Sequence, residues 1–246
     1  MAASPAHKIY NNMEITLTNC TFKLRSPTPD DAEFHYKLLT NKQVMKYDRI
    51  HNHYELGEDA ASKQHNIGIH RKQIQQSIQK SQNGPYWAED GKSANQNLWG
   101  MVEFVIEGTE GADKGKRLGW TGVHSFKIDP EAPEDKKLGT GLQARFQCVL
   151  ETEYQGKGLA TKCLRLMTQF AFEKLEDAGK YYINKFESVV HKENQALIHI
   201  MEKKAGWKEP FPMEKTEDEH LISYRITKDE YLKKNPFADV AEFKHC

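Results

Sequence analysis

Residues 155–161 read Gln-Gly-Lys-Gly-Leu-Ala-Thr, two glycines one residue apart directly ahead of a helical apolar pattern. The first backbone N–H groups of a helix have no acceptor inside the helix, and its dipole favours an anion beside them. Gly156 and Gly158 carry no Cβ that would hold a phosphate off those amides, and both tolerate positive φ. Thr161 adds a hydroxyl, while Lys157 either supplies charge or points into water. Such a turn suits a diphosphate. Spacing weakens two nucleotide readings. A Walker-type loop ends Gly-Lys-Ser/Thr, whereas Gly158 is followed by Leu159. A dinucleotide fingerprint wants a third Gly or Ala where Thr161 stands, and an acid about 20 residues on, where Ala178 stands.

Several elements must position this turn. Residues 142–150 form a run with no turn residue inside it and read as a strand. From Leu159 the period becomes helical, with Cys163, Leu166, Met167 and Phe170 on one stripe and Asp177-Ala178-Gly179 closing it. Upstream, residues 21–25 alternate as a half-buried strand, and Thr28-Pro29-Asp30-Asp31 starts a helix. Residues 58–80 predict a second helix with Ile67, Ile74 and Ile78 on one face, ended by Asn83-Gly84-Pro85. Strands are expected at 98–106 and 118–128 around a glycine-rich hairpin tip, then at 181–190 and 220–226. A short helix is expected over 194–204, and a helical turn over 228–234. The pattern predicts one α/β domain over 21–234, with 1–20 and 235–246 as extensions.

Composition narrows the class. The 246 residues are 38% apolar and 28% charged with zero formal net charge, a globular profile that asks for no nucleic-acid or membrane partner. No run approaches the roughly 20 apolar residues of a membrane span, and residues 1–8 lack a secretory apolar core, which points to the cytoplasm without excluding the nucleus. Cys20, Cys148, Cys163 and Cys246 are scattered, with neither disulfide nor metal-ligand spacing. His51, His53, His65 and His70 flank a polar helix without an acid or cysteine at ligand spacing, so no metal is expected. Trp87, Trp99, Trp120 and Trp207 are assigned to the core, with Tyr86-Trp87 also a candidate pocket wall. The charged segment 129–141 reads as a solvated loop, or as a lid.

The glycine turn resembles the signature of the GNAT acyltransferases, Gln/Arg-x-x-Gly-x-Gly/Ala at a strand-to-helix junction, matched by Gln155, Gly158 and Ala160. Residues 22–32 are similar to the family's opening strand and helix. Val189-Val190-His191-Lys192-Glu193-Asn194 with Glu202-Lys203-Lys204-Ala205-Gly206-Trp207 is similar to the ending of the branch holding ribosomal-protein alanine N-acetyltransferases. The resemblance implies a central mixed, splayed sheet flanked by helices, with strand 142–150 parallel to the next over part of its length. It also implies acetyl-CoA as co-substrate, without a metal. Its pantetheine would pair with the backbone around Val149, Leu150 and Glu151, and its pyrophosphate would take the amides of Gln155, Gly156, Lys157, Gly158, Leu159 and Ala160. Asn194 would contact the pantetheine arm.

The implied reaction is direct attack of a neutral amine on an acetyl thioester. An amine of pKa about 8 to 10.4 must first lose a proton, and the oxyanion needs a donor such as an N–H near Leu150. Three residues are open as base: Glu187 on strand 181–190, His124 in mid-strand, and Glu151 at the end of 142–150. Two positions depart from the family. Met201 stands where many members carry an acidic Tyr, and Arg145 where many in this branch carry a carboxylate. Tyr224 and Tyr182 are alternative acids, and one extra residue lies between Asn194 and Gly206. The acceptor is a protein N-terminus or a small amine, with monomer and homodimer both open. A non-catalytic acyl-CoA-binding sensor is the competing reading.

Overall fold

A computed structural model describes residues 13–17, 20–47, 59–83, 97–129, 141–174, 182–207, 211–212, 220–234 and 241–245. In chain order these hold β1 (Met13–Leu17), β2 (Phe22–Arg25), α1 (Ala32–Thr40), α2 (Ala60–Asn83), β3 (Asn97–Gly108) and β4 (Arg117–Ile128). Then follow β5 (Gly141–Leu150), α3 (Leu159–Gln169), β6 (Tyr182–His191), α4 (Gln195–His199), β7 (Phe211–Pro212), β8 (Leu221–Thr227), α5 (Lys228–Lys234) and β9 (Ala241–His245). The nine described strands form one sheet in the order β7-β8-β6-β5-β4-β3-β2-β1-β9. Neighbours are antiparallel except β5 and β6, which run parallel.

The edge differs from the expected domain limits. Met13–Leu17 and Ala241–His245 lie in the segments read as extensions, yet Met13–Leu17 pairs with β2 on one side and with Ala241–His245, the sheet edge, on the other. Met-Glu-Ile-Thr-Leu does alternate, and Ile15 is fully buried. β1 pairs on one side with the next strand, β2, and on the other with β9 at the far end of the described chain, a pairing that no local turn signal announces.

Period-two alternation divides β5 between two cores. Leu142, Ala144, Phe146 and Leu150 pack with the buried face of α3, whereas Val149 meets a smaller cluster of Ala32, Tyr36, Leu38, Ile67, Ile74, Val105 and Trp120 beneath α1 and α2. Asp31, fully buried at the start of α1, ties that helix to the sheet. Arg25 meets it through both terminal nitrogens at 2.8 Å and Arg117 through Nε at 2.6 Å. Burial alone would raise the Asp31 pKa, but hydrogen bonds from Arg25, the Thr28 amide and Arg117 prevail and hold it at about 2.

Two helices end in π-turns. α3 continues as Phe170–Lys174, and α4 as Ile200–Lys204, where Ala205 N–H reaches Ile200 C=O (2.9 Å) and Trp207 N–H reaches Met201 C=O (2.9 Å). A π-turn absorbs one inserted residue without unwinding the helix. The second lies in the stretch between Asn194 and Gly206 where the resemblance implies one extra residue. Met201 lies inside that turn, fully buried. Trp120 and Trp207 are also buried. Tyr86-Trp87, His51, His53, the helix closure at 177–179 and the segment 130–140 fall outside the described residues, as do the side chains of Trp99 and Tyr182.

Candidate active site

The site is built where β5 leaves β6. Their parallel register runs from Gly141↔Tyr182 to Arg145↔Glu187 and stops. β5 continues to Leu150 against β4, and β6 to His191 against β8, so the sheet splays open beyond Arg145. Backbone groups of alternate residues point to opposite neighbours. The Glu151 N–H bonds to Leu118 C=O (3.0 Å) and Gln147 C=O accepts from the Thr121 hydroxyl (2.8 Å), so residues 147, 149 and 151 face β4. The edge lining the splay is therefore Phe146, Cys148 and Leu150. Of the three residues expected to pair with pantetheine, Leu150 turns its N–H into the opening. Val149 and Glu151 turn theirs toward β4, and Cys148 turns its own into the opening beside Leu150.

Past Leu150 the chain makes a short 3₁₀ turn, Thr152–Tyr154, and reaches the glycines. Gly156 and Gly158 have φ of 73° and 81°, with nothing within 4 Å of where a Cβ would stand. Backbone conformation, not crowding, selects glycine at both. The first helical bond is Lys162 N–H to Gly158 C=O (3.2 Å), so the N–H groups of Leu159, Ala160 and Thr161 precede the ladder. Leu159 and Ala160 pack on the core and seat the helix end at the splay. Gln155 is spent internally: its N–H bonds to Thr152 C=O (3.3 Å) and its Nε2 to Leu150 C=O (3.2 Å). Lys157 Nζ lies 5.1 Å from the centre of the Tyr154 ring. Tyr154 is buried and donates to Asp113 Oδ1 (3.0 Å); burial and that carboxylate push its pKa up to about 12.

The three base candidates separate. His124, Arg145 and Glu187 are consecutive in one cross-strand row over β4, β5 and β6, so they share the face under α1 and α2. Glu187 is buried; Arg145 Nε donates to its Oε1 and the Ser223 hydroxyl to its Oε2 (3.3 Å). Arg145, a departure from the family pattern, is thus answered by an acid on the next strand. His124 Nδ1 is 2.7 Å from the hydroxyl of Ser125, whose φ of 53° marks the β4 bulge. Glu151 stands apart, paired through Oε1 with exposed Lys37 (2.7 Å). Asn194 caps α4, its Oδ1 accepting the Leu197 N–H (3.2 Å), which leaves its amide NH2 as donor. Tyr224 is buried on β8 and donates to Glu202 Oε1 (2.8 Å); burial first, and Glu202 second, push it up to about 12.

One acid on this face escaped the sequence reading. Glu103 on β3 is only 8% exposed, and its Oε1 accepts from Trp120 Nε1 (3.1 Å) and Gln147 Nε2 (3.4 Å). Strand alternation was the available signal, since Glu103 shares a face with buried Val105. Among the described residues no group of three or more His, Cys, Asp or Glu could hold a metal ion, and no helix is long and apolar enough to cross a membrane.

Comparison with known proteins adds three findings. Residues 21–206 match the model of the acetyltransferase (GNAT) domain. A stretch of 61 residues is 41% identical to spermidine N(1)-acetyltransferase of Escherichia coli, covering 25% of this chain and 30% of that enzyme. Among solved structures, a GNAT-family acetyltransferase from Bacillus anthracis superposes with a TM-score of 0.53 at 14% identity, over 88% of this chain and 99% of that one. Spermidine N-acetyltransferase from Vibrio cholerae in complex with CoA and spermine gives 0.51 at 20% identity, over 87% and 99%. A ribosomal-protein α-N-acetyltransferase in complex with coenzyme A gives 0.53 at 16%, over 88% and 99%. The structural likenesses bear on the fold.

Proposed function

The chain belongs to the GNAT acetyltransferase family, and from that premise we propose that it transfers an acetyl group from acetyl-CoA to a primary amine. The splay beyond Arg145 and Glu187, with Leu150 and Cys148 on its edge and the start of α3 at its mouth, carries the reading. An extended amide-bearing arm pairs with a strand edge as a peptide does, and a pyrophosphate suits the amides of Gly156 to Thr161. Gln155 supports that loop from within, and Asn194 has an NH2 to offer the arm.

In the step itself the neutral amine nitrogen forms a bond to the thioester carbon, and the carbon–sulfur bond then breaks. A Leu150 N–H turned into the opening is the natural donor to the oxyanion. Glu187 already accepts from Arg145 and Ser223, so it serves as base through water rather than by direct contact. His124 shares its face. The departing thiolate, of pKa about 8.5, does not demand an acid. A protein N-terminus and a small amine both remain in scope as acceptor, the second supported by the short stretch similar to a spermidine acetyltransferase.

Thermal shift with acetyl-CoA, coenzyme A and NAD tests the reading, since a ligand of the native state stabilises it by RT ln(1+[L]/Kd). Both coenzyme A species should raise Tm, NAD should not, and Gly158→Glu should abolish the effect. No shift with millimolar acetyl-CoA sinks the proposal. A shift without thiol release against an amine panel supports the sensor reading instead.

A further inference from the structure

The two glycines ahead of α3 carry no side chain that could fix the turn they make. Both hold positive φ in open surroundings, and glycine has more conformational freedom to lose on folding than any other residue. What sets the direction of their amides must therefore lie on either side. Downstream, Leu159 and Ala160 pack on the core. Upstream, Tyr154 closes the 3₁₀ turn with its N–H on Glu151 C=O (2.9 Å) and buries its ring in that same core. Lys157, between the two glycines, lies over this ring, with Nζ 5.1 Å from its centre. The loop thus rests on Tyr154.

Tyr154 is held in turn by a residue 41 positions away. Its hydroxyl donates to Asp113 Oδ1 (3.0 Å) in the hairpin tip between β3 and β4, and Lys116 Nζ meets the same oxygen (3.2 Å). The tip is closed on itself. Gly108 N–H reaches Lys116 C=O (3.0 Å), Gly115 N–H reaches Gly108 C=O (2.8 Å) and Lys116 N–H reaches Asp113 C=O (2.9 Å). Asp113 folds back so far that a Cβ on Gly108 would lie 2.1 Å from its carbonyl oxygen. Thr109 N–H bonds to Thr21 C=O (2.9 Å), which fixes the tip to the chain entering β2. As an anion, Asp113 can only oppose a bound diphosphate, so any favourable effect on binding has to pass through Tyr154. Resting on the acetyl-CoA reading above, we propose that Asp113 and Tyr154 are positioning residues, through which the β3–β4 tip holds residues 155–158 in the conformation that presents their amides to the pyrophosphate.

The test measures affinity for coenzyme A by calorimetry, and for pantetheine, which lacks the pyrophosphate, by NMR titration. Wild type, Tyr154→Phe, Asp113→Ala and the double variant are compared, with amide hydrogen exchange of residues 155–161 followed in the unliganded proteins. Each single variant should bind coenzyme A about tenfold more weakly, the size of one hydrogen bond to a charged group, with pantetheine affinity held and those amides exchanging faster. The double variant should bind no more weakly than either single one, because both remove the same bond. Glu153 also approaches the Tyr154 hydroxyl, so Asp113→Ala, at an exposed position, is the arm that assigns the effect to the tip. Unchanged coenzyme A affinity in Asp113→Ala overturns the brace and leaves acetyl transfer standing. Tighter binding overturns it too, since the carboxylate would then act by its charge. An equal loss for pantetheine marks a general structural role and overturns it as well. Wild type that binds no coenzyme A overturns the brace together with the reading it rests on.

Discussion

Arg145 and Glu187 form the last register pair between β5 and β6, and the guanidinium Nε donates to the carboxylate across that step. The two strands part immediately beyond it. A charged clamp thus stands at the vertex of the opening that the acyl donor is proposed to enter, with Ser223 holding the second carboxylate oxygen (3.3 Å).

Removing the cation should expose the cost of that arrangement. Arg145→Gln leaves Glu187 buried beside a neutral partner, and a loss of about 3 kcal/mol is expected by chemical denaturation. Arg145→Met with Glu187→Leu should recover most of it. A single variant as stable as wild type would show the pair to be incidental.

Asp31 makes stability depend on acid. Its folded pKa, about 2, lies below the ordinary 3.8, so its contribution is complete above roughly pH 4 and is lost as pH falls through 2. The contribution is on the order of 2 kcal/mol. Asp31→Asn should therefore melt well below wild type at pH 6, with the gap narrowing at pH 2.5. A gap independent of pH would place the effect in packing.

Two glycines should fail for different reasons. At Gly158, with φ of 81° and open surroundings, Ala meets backbone strain alone, about 1 kcal/mol. At Gly122 an added methyl meets Val102 C=O and must push β3 from β4, a cost nearer 3 kcal/mol. Urea midpoints of the two variants should rank in that order.

Asn194 separates capping from binding. Asn194→Ala loses the bond to Leu197 N–H and about 1 kcal/mol. Asn194→Asp keeps a capping oxygen but gives up the NH2. If that group meets the pantetheine arm, Asp at this position should retain Tm and lose coenzyme A affinity. Retained affinity would reduce Asn194 to a cap.

Much of the fold is legible locally. β3, β4 and β5 span 12, 12 and 10 residues that overlap the runs read as strands, and Thr28-Pro29-Asp30-Asp31 starts α1 through the Thr28 N–H to Asp31 bond (2.7 Å). The glycine turn is equally readable, because positive φ at 156 and 158 is a property of residue type. β1 and β9 were missed since each is five residues long and their pairing with each other joins the two ends of the chain. Which of Val149, Leu150 and Glu151 turns its backbone into the opening is not legible locally, because direction within a strand depends on which neighbour it pairs with.

Residue order by itself determined the strand-to-helix turn that suits an anion and the strand and helix runs on either side of it, since each depends on neighbours along the chain. Tertiary structure decided what those features meet. It set the register that stops at Arg145 and Glu187, the turning of Cys148 and Leu150 into the opening, and the reach of Glu103 over Gly122 to Gln147. These are contacts between residues 19 to 44 positions apart, and no local propensity encodes their geometry.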